Sequence, residues 1–196
     1  MSVQQGTAVT TVQGRRGSAS SWLDVAAEVL VADPSASLSE VAEAAGIGRT
    51  TLHKHFATRD DLVRAVAHRA LDLWEQATAT VPASEAPDGG LRALAAALVP
   101  IGPQLAYLWR NPSFDRDPDI SSRWAAVEPC GLGVLKAAQA AGVVKPDAPD
   151  WWLLQTFYSL IYVAAESVRA GFLAPRDAPD LVVNTFVHGH SVPTRS

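Results

Sequence analysis

The sequence predicts an all-α protein built from two helical domains. Apolar residues recur at helical spacings along most of the 196 residues, and no run shows the sustained alternation of a strand. Prolines and glycines divide the chain into segments of helix length. The apolar fraction of 48% excludes general disorder. No uninterrupted apolar run reaches the ~18 residues expected of a membrane span.

An arm and a first helix are predicted at the start of the chain. Residues 1–20 are rich in Gly, Ser, Thr and Gln, so we expect a flexible arm. The first helix is predicted from Trp22 to Ala32. It ends there because Asp33 precedes Pro34, and proline disfavours helical geometry in the residue before it.

The stretch Leu38 to Phe56 predicts two short helices joined by a turn. Apolar residues recur at i, i+3 and i+7 from Leu38, so they share one face of the first of these helices. Either Ser37 or Ser39 is expected to cap it, and the sequence does not decide between them. Gly46 follows the last periodic residue, where the left-handed position that ends a helix favours glycine.

The second helix of this pair has two different faces. Leu52, His55 and Phe56 lie near one face and make a largely apolar back. The opposite face carries side chains that can donate hydrogen bonds, namely Arg49, Thr50, His53 and Lys54. A helix with an apolar back and a donor-rich front fits the major groove of DNA. On this pattern alone, the alternative is a hairpin in an ordinary helical bundle with a solvated basic face.

Charge segregation around this helix favours DNA binding. No Asp or Glu occurs from Ala44 to Arg59, although the net charge of the chain is −4. Residues 1–66 hold six Lys or Arg and seven Asp or Glu, so tight DNA binding would need two subunits acting together. The basic pair in the arm either reaches a minor groove or phosphates, or lies in a disordered tail. The residues predicted to contact DNA are Arg15, Arg16, Ser39, Arg49, Thr50, Thr51, His53, Lys54, His55 and Arg59.

Residues 22–66 resemble the N-terminal domain of TetR-family transcriptional regulators. The motifs that carry the resemblance are Val25-Ala26-Ala27 in the first helix, Val41-Ala42 followed by Ala45-Gly46, a recognition helix ending in His55-Phe56, and Arg59-Asp60-Asp61-Leu62 opening a fourth helix. His53 departs from the pattern, because the family most often has an aromatic residue there, and Thr50 replaces a usual glycine. The resemblance implies a homodimeric regulator with a helical ligand-binding domain.

Prolines and glycines divide the rest of the chain into helical segments. A fourth helix is predicted from Arg59 to Thr80, and Val81 to Gly90 predicts a break. Five helices are expected after it, at about 91–99, 104–110, 120–141, 149–170 and 178–188, the third kinked near Pro129. We therefore expect an arm at 1–20, a helix-turn-helix DNA-binding domain at 21–66, and a ligand-binding and dimerisation domain at 67–196.

Two apolar segments near the end of the chain predict a dimer interface. Trp151 to Ala165 is apolar almost all round, so a helix there is buried on every side. One side is expected to face a second copy of the chain, the alternative being a larger monomeric core. Such a dimer places two recognition helices about 34–36 Å apart, facing a near-palindromic operator. The predicted interface residues are Trp151, Leu154, Ile161, Ala165, Val168, Leu181, Val182, Thr185 and Phe186.

Aromatic residues are concentrated outside the predicted DNA-binding domain, which holds only one of the six tryptophans. Together with tyrosines and a phenylalanine they are expected to line an apolar cavity, although aromatics at helical spacing are also common in a plain core. Aromatic walls suit a flat apolar ligand, or a cation. The predicted ligand-binding residues are Trp74, Tyr107, Trp109, Phe114, Trp124, Trp152, Tyr158 and Tyr162.

Motifs for other chemistry are absent from the sequence. It contains no Gly-rich phosphate loop, no Cys/His metal spacing and no GxSxG motif, so we expect no enzymatic activity, metal or cofactor. Cys130 is the one cysteine, and a buried inert thiol is favoured over a redox sensor. The first twenty residues lack an apolar signal core, so we expect a cytoplasmic protein with no membrane partner.

The sequence therefore predicts a TetR-like repressor that a small apolar or aromatic ligand releases from its operator. The expected partners are double-stranded operator DNA, a small-molecule effector and a second copy of the chain. The alternative is a sensor or carrier of small molecules that does not bind DNA.

Overall fold

Helices make up the regular structure of the chain. The computed structural model describes residues 19–81 and 87–190. Within them no strand occurs, and the all-α prediction is confirmed. The helices are α1 (Ala19–Ala32), α2 (Leu38–Ala44), α3 (Arg49–His55), α4 (Arg59–Ala79), α5 (Pro87–Leu98), α6 (Gly102–Trp109), α7 (Pro118–Ala140), α8 (Asp150–Arg169) and α9 (Ala178–His190), with 3-10 turns at Val99–Ile101 and Phe114–Arg116.

Ser37 is the residue that caps α2. Its hydroxyl accepts a hydrogen bond from the backbone N–H of Glu40 at 3.3 Å, and its own backbone N–H donates to the Glu40 carboxylate at 2.7 Å. This reciprocal pair satisfies two donors that the helix start would leave unpaired. The Ser37 backbone N–H, and after it the Ser37 side chain, hold the pKa of the Glu40 carboxylate below its usual value.

The turn between α2 and α3 depends on Gly46. This glycine has a φ of +65°, and the next backbone N–H, that of Ile47, donates to the carbonyl of Ala42 at 3.0 Å. That bond pairs a carbonyl left free at the end of α2. A residue with a Cβ would be strained at this φ, so the position fixes the angle at which α3 leaves α2.

The long helix α4 connects the helix-turn-helix to the rest of the protein. It begins with a second capping box, in which Thr58 and Asp61 exchange hydrogen bonds, the Thr58 backbone N–H donating to the Asp61 carboxylate at 2.9 Å. One stripe of α4 is buried from Leu62 to Trp74. Along its length α4 packs against α1, α5, α6 and α7.

The fifth helix begins earlier than predicted. The break was expected to extend to Gly90, but α5 starts at Pro87, because a proline at the first helical position loses no hydrogen bond. The stretch Gly90–Trp109 is long and apolar enough to cross a membrane, yet 61% of it is buried in the fold. It is divided between α5, the first 3-10 turn and α6, which pack against α1, α4, α8 and α9.

Helices α7, α8 and α9 complete the bundle. Helix α7 continues through Pro129 to Ala140. Cys130 on this helix is exposed, so the prediction of a buried thiol is wrong. A Cβ on Gly131 would lie 2.5 Å from the hydroxyl of Tyr158, so the absence of a side chain there permits α7 and α8 to approach each other. Helix α9 packs on α5 and α8, where the ring of Phe186 lies 5.2 Å from that of Phe157.

The assignment of the α2 cap predicts different effects for two neighbouring serines. We expect Ser37→Ala to lower the free energy of unfolding by about 1 kcal/mol, because it removes a helix cap. Ser39→Ala is the matched control and should change it by less than about 0.5 kcal/mol. Urea unfolding at 25 °C measures both, and equal losses would contradict the assignment.

Candidate functional site

The recognition helix α3 presents its predicted DNA contacts to solvent. Leu52 anchors the helix with no exposed surface, while Arg49, Thr50, Thr51, His53 and Lys54 are all exposed. The Nε of Arg49 donates to Nε2 of His53 at 3.4 Å, so these two side chains lie side by side on the outer face. The arrangement gives a row of donors without an acidic side chain on the helix.

His55 is exposed but packs against α1. Its ring lies 5.1 Å from the ring of Trp22 at an interplanar angle of 70°, an edge-to-face contact. Phe56 lies on the other side, with its ring centroid 6.3 Å from that of His55. These contacts place His55 at the border between the back of α3 and its outer face.

Arg59 lies at the start of α4 and holds the connection between α1 and α2. Its Nε donates to the carbonyl of Ala36 at 3.1 Å, and its Nη2 donates to the carbonyl of Pro34. Ser39 is half-buried on α2 and does not cap that helix. The predicted contacts Arg15 and Arg16 lie outside the described residues.

Four of the predicted ligand-binding aromatics form one cluster between helices. The aromatic cluster consists of Trp74 on α4, Trp109 on α6, Trp124 on α7 and Tyr158 on α8. The ring of Trp74 makes edge-to-face contacts with the other three at 5.7–5.9 Å, and Trp109 stacks on Tyr158 at 4.6 Å. Each such pair stabilises the fold by about 0.5–1.5 kcal/mol beyond burial alone.

The aromatic cluster contains polar atoms without hydrogen-bond partners. Among the described residues, no group accepts from the indole N–H of Trp74 or Trp109, or pairs with the hydroxyl of Tyr158. Burial, followed by the negative charge of Glu128, raises the pKa of Tyr158, so this hydroxyl stays protonated. An unpaired buried donor costs about 1–3 kcal/mol, so three in one place are costly to the free protein.

Glu128 is a member of this site that the sequence did not single out. It accepts a hydrogen bond from the indole N–H of Trp124 at 3.3 Å, one turn earlier on α7. The i, i+4 spacing of the two residues was the available signal. Elsewhere in residues 19–81 and 87–190, no three His, Cys, Asp or Glu side chains are placed to hold a metal ion.

The other predicted ligand-binding residues lie outside the cluster. Tyr107 and Phe114 form a separate pair with ring centroids 5.7 Å apart. Tyr162 is half-buried beneath the guanidinium of Arg110, which lies 5.6 Å from its ring centroid. Trp152 is 55% exposed near the start of α8.

The predicted dimer residues fall into two sets. Five belong to the buried core of the chain itself, namely Leu154, Ile161, Ala165, Val182 and Phe186. Trp151, Leu181 and Thr185 are exposed, and Val168 is half-buried. The apolar side chains left exposed on α8 and α9 are Trp151, Trp152, Val163 and Leu181. The sequence missed Val163 because an apolar residue in an apolar helix gives no sign of which side it faces.

The helix-turn-helix and most of the chain around it have counterparts in known proteins. Residues 23–66 match the family of bacterial regulatory proteins described as the tetR family. Over 150 residues the chain is 30% identical to the HTH-type transcriptional repressor LfrR of Mycolicibacterium smegmatis. The aligned region covers 76% of this chain and 78% of LfrR. The chain belongs to the TetR family. The resemblance predicted from the sequence is confirmed.

Other TetR-family comparisons extend over most of the chain. It is 27% identical over 173 residues to the HTH-type transcriptional regulator NfxB of Pseudomonas aeruginosa, covering 87% of this chain and 92% of NfxB. The crystal structure of LfrR from Mycobacterium smegmatis in complex with proflavine shares its fold with a TM-score of 0.66 at 27% identity, over 89% of this chain and 96% of that one. This TetR-family member is a DNA-binding transcriptional regulator of the repressor type, and its relatives are named as regulators rather than enzymes.

Two arginines near the recognition helix of this TetR-family member are expected to act differently. Arg49→Ala should weaken DNA binding, and the dependence of log DNA affinity on log salt concentration should become less steep by about one phosphate contact. The free energy of unfolding should not change, because the Arg49 side chain is exposed. Arg59→Ala should lower the free energy of unfolding by about 1–3 kcal/mol, because it removes two hydrogen bonds that the charged guanidinium makes to backbone carbonyls.

Urea unfolding and fluorescence anisotropy on promoter DNA measure these two effects separately. Unchanged DNA binding in Arg49→Ala would remove Arg49 from the interface. Unchanged stability in Arg59→Ala would show that the two carbonyls do not depend on its guanidinium.

Proposed function

We propose that two copies of the chain bind a near-palindromic operator and that a small planar aromatic ligand releases them. The observation that carries this proposal is the aromatic cluster with its three unpaired polar atoms, built partly on α4, the helix that follows α3. In this proposal residues 1–20 are an arm, residues 21–66 are the DNA-binding domain, and residues 67–196 are the ligand-binding and dimerisation domain. Helix α4 joins the two domains. A regulator of this kind works in the cytoplasm, where its DNA lies.

The cluster suits a planar ligand that accepts hydrogen bonds. Its rings offer apolar faces, and the N–H groups of Trp74 and Trp109 and the hydroxyl of Tyr158 offer unused donors. The carboxylate of Glu128, beside Trp124, favours a cationic ligand over an anionic one. LfrR, whose structure contains proflavine, provides a first compound to test on this chain.

The ligand acts by separating rings that pack tightly in the free protein. Trp74 lies fully buried at the centre of the cluster, so a ligand that enters must displace it or its neighbours. Displacement of Trp74 moves α4, and the first turn of α4 carries the Arg59 contacts to the α1–α2 connection. The ligand shifts the population only as far as it binds this second conformation more tightly than the DNA-binding one.

The dimer forms through the outer faces of α8 and α9. Trp152, Val163 and Leu181 are more than half exposed in one chain, which is unusual for large apolar side chains on adjacent helices. Pairing these faces about a two-fold axis would give a four-helix interface and cover them in both copies.

A footprint on the DNA beside the protein's own gene tests the operator and its release. We expect a protected near-palindrome whose affinity falls steeply as salt increases, because phosphate contacts dominate DNA affinity. Proflavine should then reduce protection. No salt-dependent protection, either here or in fragments selected from genomic DNA, would favour a sensor or carrier that does not bind DNA.

A Tyr158→Phe variant locates the ligand in the same experiment. The free energy of unfolding should stay the same or rise, because the hydroxyl has no partner among the described residues. Proflavine affinity should fall about 2–10-fold for one lost hydrogen bond. Tyr162→Phe, outside the cluster, is the matched control. Equal proflavine affinity in both variants would move the ligand away from Tyr158.

Dimerisation is tested by placing a charge on the α8 face. We expect Val163→Glu to convert a dimer into a monomer in sedimentation velocity and to weaken DNA binding, because it places two buried carboxylates near a two-fold axis. Ala137→Glu, exposed on α7, is the matched control and should remain dimeric. A Val163→Glu protein that stays dimeric would move the interface elsewhere.

A further inference from the structure

A cavity of about 460 Å³ lies at the junction between the helix-turn-helix and the rest of the bundle. Its walls come from α1, from the first turns of α4, from α6 and from the residues that follow α6. Leu30, Val63 and Ala106 are among the apolar residues that line it. Its volume falls within the range of about 300–1,000 Å³ that small-molecule sites occupy. None of the four residues of the aromatic cluster lines it.

Two arginines that form no ion pair within 4.0 Å line this cavity. Most of the described arginines form ion pairs within 4.0 Å, namely Arg64, Arg69, Arg92, Arg123, Arg169 and Arg176. Arg59 and Arg110 do not: the first bonds to backbone carbonyls, and the second lies over the ring of Tyr162. Asp60 supplies the one carboxylate of the lining, so the wall carries a net charge of +1 from two Arg and one Asp.

Neutral hydrogen-bonding groups lie beside these charges. Asn111 and Ser113 line the same cavity, and so does Tyr107. Tyr107 is buried, and burial raises the pKa of its hydroxyl, an effect that the Asn111 side chain and the Arg59 charge oppose. The cavity therefore combines apolar walls with a few convergent donors, which is the composition of ligand sites in general.

We propose that this cavity is a second effector site, which binds a small organic anion consisting of a carboxylate on a flat or short apolar scaffold. Guanidinium groups bind carboxylates through paired, charge-assisted hydrogen bonds, and the apolar walls receive the scaffold. The aromatic cluster beside Glu128 favours the opposite charge, so the two sites select different ligands. The anion site does not depend on the release mechanism proposed above.

Occupancy of the cavity changes DNA affinity through Arg59. A bound carboxylate competes with the carbonyls of Pro34 and Ala36 for the donors of this guanidinium. A carboxylate carries a full negative charge and can pair with the guanidinium through two parallel hydrogen bonds, which a neutral carbonyl cannot do, so the competition favours the ligand. Loss of the Arg59 contacts frees the α1–α2 connection, and the positions of α2 and α3 relative to α4 change with it.

Calorimetric titration of the full chain tests the site with a matched set of probes. The probes are benzoate, 2-naphthoate and octanoate, together with the primary amide of each. We expect at least one carboxylate to bind saturably at about one per chain, and its amide to bind at least ~10-fold more weakly, because the neutral amide cannot form the paired ionic contact with a guanidinium. The carboxylate should also lower DNA affinity.

Variants identify the cavity as the place of binding. Arg110→Gln should weaken carboxylate binding at least ~10-fold. Val63→Phe should weaken it to a similar extent, because the larger ring occupies space in the cavity. Arg116→Gln is the matched control, because Arg116 is exposed, has no ion pair and lies outside the cavity. Tyr158→Phe, in the aromatic cluster, should leave carboxylate affinity unchanged. Urea unfolding of each variant separates loss of binding from loss of fold.

Three results would each overturn the proposal. The first is that no carboxylate binds saturably up to millimolar concentration. The second is that the amides bind as tightly as the carboxylates. The third is that folded Arg110→Gln and Arg116→Gln proteins retain equal affinity. Carboxylate binding that leaves DNA affinity unchanged would keep the site but overturn its role as an effector site.

Discussion

The packing of Trp74 is the constraint on which the rest of the structure depends. Its ring is fully buried and contacts rings from α6, α7 and α8, so one side chain fixes the positions of four helices. Helix α4 has 21 residues and extends about 30 Å at 1.5 Å per residue. At its other end, the Arg59 guanidinium holds the connection that leads into α2. The core around Trp74 and the orientation of the recognition helix are therefore linked through one rigid helix.

The aromatic cluster and the junction cavity lie along this element and differ in character. The cluster is closely packed, and its unpaired donors are the groups that would bind a ligand. A ligand would reach them only by moving the rings. The cavity at the junction is already open and is lined by Arg59 and Arg110, which form no ion pair within 4.0 Å. Under the two proposals, a ligand in either place would act on the same helix, at its middle or at its first turn. Two chemically different signals would then converge on one DNA-binding surface.

Local signals predicted the helix-turn-helix well, because periodicity, a cap and Gly46 all lie within a few residues of the features they determine. The sequence prediction left Ser37 and Ser39 open as caps, although a local signal was present: Glu40 stands three residues after Ser37, the spacing of a capping box, whereas Ala42 stands three residues after Ser39. The role of Arg59 depends on contacts 23 and 25 residues away in sequence, which no local pattern encodes. In α8 the sequence predicted burial on every side but not which side faces the core, so buried Ile161 and exposed Val163 were indistinguishable.

The close approach of Gly131 and Tyr158 has a consequence for the evolution of this chain. A methyl group at position 131 would meet the tyrosine hydroxyl at 2.5 Å, whereas the next ring atom lies 3.5 Å away. Gly131→Ala is therefore tolerated only with a change such as Tyr158→Phe, so the two positions should covary among homologues. A glycine at the first and a tyrosine at the second would together identify, from sequence alone, the relatives that have kept this buried hydroxyl. Homologues that have lost both would be expected to recognise different effectors.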